Sequence, residues 1–133
     1  MTKIKFKNII KTSFANYMST TLHDLQKLVI QFRDERDWKQ FHNPKDAALS
    51  LVLEATEVLE HFQWKNGEQI DKYVKDEKEA IAHELADVLY WVLLMSHDLD
   101  IDLPQEFYNK LKLSAQKYPV TKWKGRSGKY TEG

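Results

Sequence analysis

The chain has 133 residues, 42% hydrophobic and 30% charged, with 20 Lys and Arg balanced by 20 Asp and Glu and no cysteine. That length suits one domain burying roughly two thirds of its unfolded surface, while the charge balance excludes an ordinary nucleic-acid binder and the missing thiols exclude disulfides, thiolate catalysis and Cys-ligated metals. No apolar run approaches the roughly 20 residues of a membrane span, so the expectation is a cytoplasmic globular domain with neither nucleic acid nor membrane as partner.

In chain order, residues 1–20 come first, with four lysines, no acid, and apolar runs too short for a secretory signal; they read as a disordered or partner-docked extension. A helix is expected from Thr21 to Trp38, because Leu22, Leu25, Leu28, Val29 and Phe32 recur at helical spacing behind a capping threonine. Asn43-Pro44, a cap followed by proline at the first helical position, starts a second helix that runs to Trp64 and closes at Asn66-Gly67. The polar stretch Glu68–Lys78 is either a mobile connection or the exposed start of the next helix. A central helix, almost wholly apolar, follows from Glu79 to His97, and Leu103-Pro104 opens a fourth that ends near Lys117. Residues 119–133 read as a basic arm. The organisation is therefore an extension over 1–20, an all-α four-helix bundle domain over 21–118, and the arm.

Charge is segregated along this plan. Residues 24–106 carry nine basic and nineteen acidic groups, whereas residues 107–133 carry seven basic groups against Glu132 alone. An acidic body can hold cations and a basic arm can hold phosphate.

The chemistry lies in two carboxylate pairs, Glu54-x-x-Glu57 and Glu84-x-x-Asp87, each at i, i+3 on one helix face. Both sit in the most apolar helices, so Glu84 and Asp87 are expected to be at least partly buried. Like charges so placed repel, and an unpaired buried carboxylate costs several kcal/mol. No Lys or Arg lies between Asp46 and Gln63 or between Glu79 and Asp98. Either a divalent metal compensates or basic groups from other helices do, with Arg33, Arg36, Lys110 and Lys117 available. An all-oxygen ligand set favours Mg²⁺, with Mn²⁺ as a substitute. Rival metal motifs fit poorly. His83-Glu84-x-x-Asp87 lacks the second histidine of a zinc protease, no Glu-x-x-His repeats for a di-iron bundle, and His97-Asp98 has no matching histidines upstream.

These residues resemble the Glu-x-x-Glu…Glu-x-x-Asp signature of the MazG-like all-α nucleoside triphosphate pyrophosphohydrolases. Phe32-Arg-Asp-Glu-Arg-Asp-Trp38-Lys-Gln-Phe41-His42-Asn-Pro44, Phe62-Gln-Trp64-Lys65, Asp102-Leu-Pro104, Lys117-Tyr-Pro119-Val and Gly125-Arg-Ser-Gly-Lys129-Tyr130-Thr are similar to its dCTP pyrophosphatase branch. The likeness covers about residues 22–131. It implies Mg²⁺-dependent cleavage of a nucleoside triphosphate, dCTP or a modified dCTP, to the monophosphate and pyrophosphate, in nucleotide-pool housecleaning. It implies metal ligation by Glu54, Glu57, Glu84 and Asp87, with Glu60 as a fifth acid, and a homo-dimer or homo-tetramer. One departure stands out: relatives carry Lys, Asn and Arg in the last helix where this chain has Lys110, Ser114 and Lys117, which bears on base or sugar selectivity.

Within that reading Glu54 or Glu57 takes the proton of the attacking water, and Lys110, Lys117, Arg126 and Lys129, with Tyr130 beside them, face the outer phosphates. Trp91 lies at i+4 from Asp87, and His61 and Trp64 at i+7 and i+10 from Glu54, all on the acid faces. With Trp38 and His42 they form the aromatic platform expected for the base. The competing readings are a non-catalytic metal- and nucleotide-binding regulatory bundle and a purely structural helical oligomer.

Overall fold

The computed structural model describes residues 20–129 and 131. The N-terminal extension, Thr20 apart, and Tyr130 lie outside the described residues. The described chain is all-α, with α1 at Leu22–Asp34, a 3₁₀ turn at Trp38–Phe41, α2 at Pro44–Glu60, α3 at Glu68–Asp76, α4 at Lys78–Asp98, α5 at Leu103–Lys117 and α6 at Val120–Trp123. Among the described residues no strand occurs, and no helix is long and apolar enough to cross a membrane.

Side chains placed by the sequence set the helix starts. Thr21 forms a capping box, its hydroxyl accepting from the Asp24 amide at 3.2 Å while the Asp24 carboxylate accepts from the Thr21 amide at 3.0 Å. Asn43 caps α2 and Asp102 caps α5 in the same way, each accepting a first-turn amide at 3.0 Å. The ends differ from expectation. α1 stops at Asp34, not Trp38, because Asp37 takes a left-handed conformation at φ 54° and redirects the chain into the 3₁₀ turn. Aspartate tolerates that region, and the acids Asp34, Glu35 and Asp37 oppose the negative end of a helix dipole. α2 likewise stops at Glu60. Gly67, at φ 48°, does not close it but stands at the start of α3, and the polar stretch left open by the sequence is a helix of its own.

The chain divides into two compact units, Met1–Leu99 and Asp100–Gly133. In the first, α2 and α1 pack on α4, and α3 adds a smaller contact with the same helix. The core is Ala47, Leu93 and Leu94, with Arg33 and Ser96 buried beside them. Arg33 is only 1% exposed, and its charge is paired: Nη1 donates to both Asp98 oxygens and Nε to Asp34, all at 2.8 Å. Gln26 donates to the Ser96 hydroxyl at 2.9 Å, pinning α1 to α4. The sealed core thus lies along the C-terminal half of α4. Towards its N-terminus α4 opens to solvent, Leu85 being 54% exposed, and α2 leaves Leu49, Val52, Leu53 and Leu59 uncovered. In the second unit α5 presents Phe107, Tyr108, Leu111 and Leu113, and Tyr118 packs edge-on against Trp123 at 5.1 Å.

Candidate metal and nucleotide site

Glu54 projects from α2 while Glu84 and Asp87 project one turn apart from α4, and the packing of those helices brings the three together. One carboxylate oxygen from each lies within 4.8 Å of the other two. Glu54 and Glu84 are half-buried, but Asp87 is exposed. The burial expected for Asp87 is therefore corrected: its turn of α4 lies at the open end, outside the sealed core. Glu57 stands beside this triad. Repulsion from the Glu84 carboxylate, then desolvation and a hydrogen bond with Glu84, hold Glu57 above the ordinary Glu range, and Glu60 and Asp87 add to the repulsion.

The cations that could have neutralised these acids are engaged elsewhere in this unit. Arg33 is committed to Asp98 and Asp34. Arg36 donates to the Phe32 carbonyl at 2.7 Å and lies 3.6 Å above the Phe32 ring. Among the described residues of the first unit, no Lys or Arg forms an ion pair with Glu54, Glu57, Glu84 or Asp87. Three converging carboxylates, oxygen-only and without a basic partner there, match the donor chemistry of a divalent cation.

Aromatic rings adjoin the triad on one side. The Trp91 indole N–H donates to Glu54 Oε1 at 3.4 Å. Its ring meets His42 edge-on at 5.3 Å and Tyr90 at 5.4 Å. Tyr90 continues to Phe32 at 6.2 Å, and Phe32 to Trp38 at 5.9 Å. His42 thus stands next to Trp91, and Trp38, 42% exposed, forms the far end of the chain of rings. Nδ1 of His42 is buried and has no hydrogen-bond partner among the described residues. A cavity of about 350 Å³ opens beside it, lined by His42, Asn43, Ala47, Leu94, His97 and Asp98 among others. Ala47 and Leu94 each lie two turns from the triad, at i−7 from Glu54 and i+7 from Asp87.

Two of the expected base contacts sit apart from these rings. His61 Nδ1 is hydrogen-bonded to the Tyr73 hydroxyl at 2.8 Å, and Lys65 Nζ stands 3.9 Å over the Tyr73 ring. Trp64 is 82% exposed. Lys110, Lys117, Arg126 and Lys129 belong to the second unit. The sequence reading gives Tyr73 and Tyr90 no part in the site, and Phe32 only a place on the apolar side of α1. Tyr73 could have been found from Ile70, Tyr73 and Val74 sharing one side of an otherwise polar stretch.

Comparison with known proteins defines the class. The MazG-like family pattern matches residues 49–132, a span that contains both carboxylate pairs, and the chain belongs to the MazG-like family. Within that class it is 38% identical over 114 residues to dCTP pyrophosphatase 1 of Mus musculus, covering 84% of this chain and 67% of that protein. The identity to dCTP pyrophosphatase 1 of Homo sapiens is also 38%, with the same coverage. The crystal structure of a pyrophosphatase from Archaeoglobus fulgidus superposes with a TM-score of 0.70 at 31% identity, covering 73% of this chain and 91% of that one.

Proposed function

We propose that this chain is a divalent-metal-dependent nucleoside triphosphate pyrophosphohydrolase that cleaves dCTP, or a modified dCTP, to the monophosphate and pyrophosphate, clearing nucleotide pools in the cytoplasm. The carrying observation is the convergence of Glu54, Glu84 and Asp87 without a basic partner in their unit. The identity to dCTP pyrophosphatases over most of the chain supports the substrate class.

Glu54, Glu84 and Asp87 would hold Mg²⁺, with Mn²⁺ as substitute, and Glu57 joins them as ligand or base. When bound, the cation neutralises phosphate charge and lowers the pKa of water. Attack of water on the α-phosphorus breaks the bond to the α–β bridging oxygen, and pyrophosphate leaves. Glu54 and Glu57 are the carboxylates assigned to take the water's proton. The resemblance implies that both belong to the ligand set, and whichever keeps an oxygen free of the cation would take the proton. Trp91 and His42 would flank the base, with Trp38 beyond them. Lys110, Lys117, Arg126 and Lys129 would meet the outer phosphates. The uncovered strip of Leu49, Val52, Leu53 and Leu59 on α2 supports association into a homo-dimer or homo-tetramer, since contiguous apolar surface of this kind marks interfaces.

The test is pyrophosphate release from a panel of canonical and 5-modified deoxynucleoside triphosphates, with Mg²⁺ and with EDTA. Metal-dependent release from a cytosine nucleotide is expected. Nucleotide binding with no release above background would instead identify a non-catalytic binding protein.

A further inference from the structure

From the contact between Trp91 and Glu54 we infer that Trp91 is a positioning residue for the metal site, its indole N–H fixing the Glu54 carboxylate in the orientation that a divalent cation requires. The inference rests on the proposed metal role of Glu54. It assigns Trp91 a task distinct from flanking the base.

Three observations carry it. Trp91 sits at i+4 from Asp87 and i+7 from Glu84, so its ring lies on the same face of α4 as both acids, while its N–H crosses to α2 and reaches Glu54 Oε1 at 3.4 Å. The ring is held from two directions, edge-on to His42 at 5.3 Å and to Tyr90 at 5.4 Å, and Trp91 is half-buried. Its donor therefore points along a defined line. Glu54 accepts no other hydrogen bond within its unit among the described residues, so this N–H is what orients its carboxyl plane there.

A carboxylate offers about four acceptor sites on two oxygens. One donor on Oε1 leaves the remaining sites open to a cation, and it restricts rotation of a group that would otherwise be free to swing out of the triad. A donor that orients a ligand in this way typically changes metal affinity by 10–100-fold when removed. The 3.4 Å separation is long for a hydrogen bond, which places the expected effect at the lower end of that range.

The experiment measures Mn²⁺ uptake by the full chain without nucleotide, following the electron paramagnetic resonance of free Mn²⁺. Trp91→Phe keeps an aromatic ring but loses the donor. Replacing Trp91 with benzothienylalanine keeps the bicyclic shape and puts sulfur where the N–H was, so it decides the matter should the Phe variant fail to fold. Trp123→Phe, in the second unit, is the matched control. About tenfold weaker Mn²⁺ binding is expected in both Trp91 variants, with the control unchanged. Binding within twofold of the parent in the folded benzothienylalanine protein would overturn the inference and leave the metal site standing. A parent that takes up no Mn²⁺ would overturn the metal reading of the triad, and this inference with it.

Discussion

The two halves of α4 are built on opposite principles. From Leu93 to Ser96 the helix is sealed, with Leu94 1% exposed, Ser96 hydrogen-bonded from α1, and Arg33 closing the end through Asp98. From Glu84 to Asp87 it is open, with its two carboxylates converging on Glu54 of α2 and Leu85 54% exposed. The first half lowers the free energy of the chain by removing apolar surface from water. The second raises it by gathering like charges against those of α2, where Glu57 is pushed above its ordinary range by Glu84. A helix that concentrates repulsion at one end and packing at the other separates the residues that hold the fold from those that would hold a ligand.

The division of α4 into a packing half and a ligand half fails outright if the open half proves structural. Glu84→Gln and Asp87→Asn should each lower turnover by roughly 10³-fold, since loss of a ligand forfeits several kcal/mol of charge stabilisation at about 1.4 kcal/mol per decade. Their urea midpoints should stay equal to the parent's or rise, because each removes a repelling charge. Near-normal turnover in either variant would end the metal assignment. Leu94→Ala tests the sealed half. A side chain so fully buried should cost about 3 kcal/mol on truncation, read as a lower urea midpoint, with turnover per folded molecule retained.

How much of this was legible in the sequence follows from the range of the interactions involved. The caps at Thr21 and Asn43 were visible because each is satisfied within three residues. The carboxylate pairs were visible because i, i+3 spacing and the absence of Lys and Arg from both segments are local facts. The exposure of Asp87 was not, because the apolar run after it describes the sealed half of α4 and says nothing of which turn the neighbouring helices cover. The early end of α1 at Asp34 was hidden for a related reason. No Gly or Pro stands between Thr21 and Trp38 to mark a stop, and only the left-handed Asp37 shows where the chain turns. Nor could sequence show that His61 is tied to Tyr73 at 2.8 Å, since that bond depends on α3 forming and docking against α4.

Acid should act on the sealed half through Asp98. Burial would raise its carboxyl, but the hydrogen bonds from Arg33 and His97 and their charges outweigh burial and hold it below the ordinary Asp range. Its folded pKa is thus lower than its unfolded one, so its stabilisation is present above about pH 4 and is lost as pH falls from there through the folded value. The parent's urea midpoint should therefore decline below about pH 4. Asp98→Asn should start lower at pH 7, where buried Arg33 keeps Asp34 but loses the charge of Asp98, and decline less steeply. Equal slopes for the two proteins would show that Asp98 does not carry the acid sensitivity.

The smallest effect is the sharpest test of separation along α4. Gln26 donates to the Ser96 hydroxyl at 2.9 Å and to the Leu93 carbonyl at 3.3 Å. Removing it as Gln26→Ala leaves Ser96 its own bond to Leu93 at 2.9 Å, so no buried donor is orphaned. What is lost is one good hydrogen bond, one long one and some packing, about 1 kcal/mol in sum. The urea midpoint should fall accordingly, while turnover and Mn²⁺ uptake, which depend on turns of α4 nearer its N-terminus, stay at the parent's values. If Gln26→Ala instead weakens Mn²⁺ uptake at unchanged stability, the two halves of α4 are mechanically coupled. The ring contacts of Trp91 with His42 and Tyr90 would then be the first place to seek that coupling, since they lie between the sealed turns and the acids.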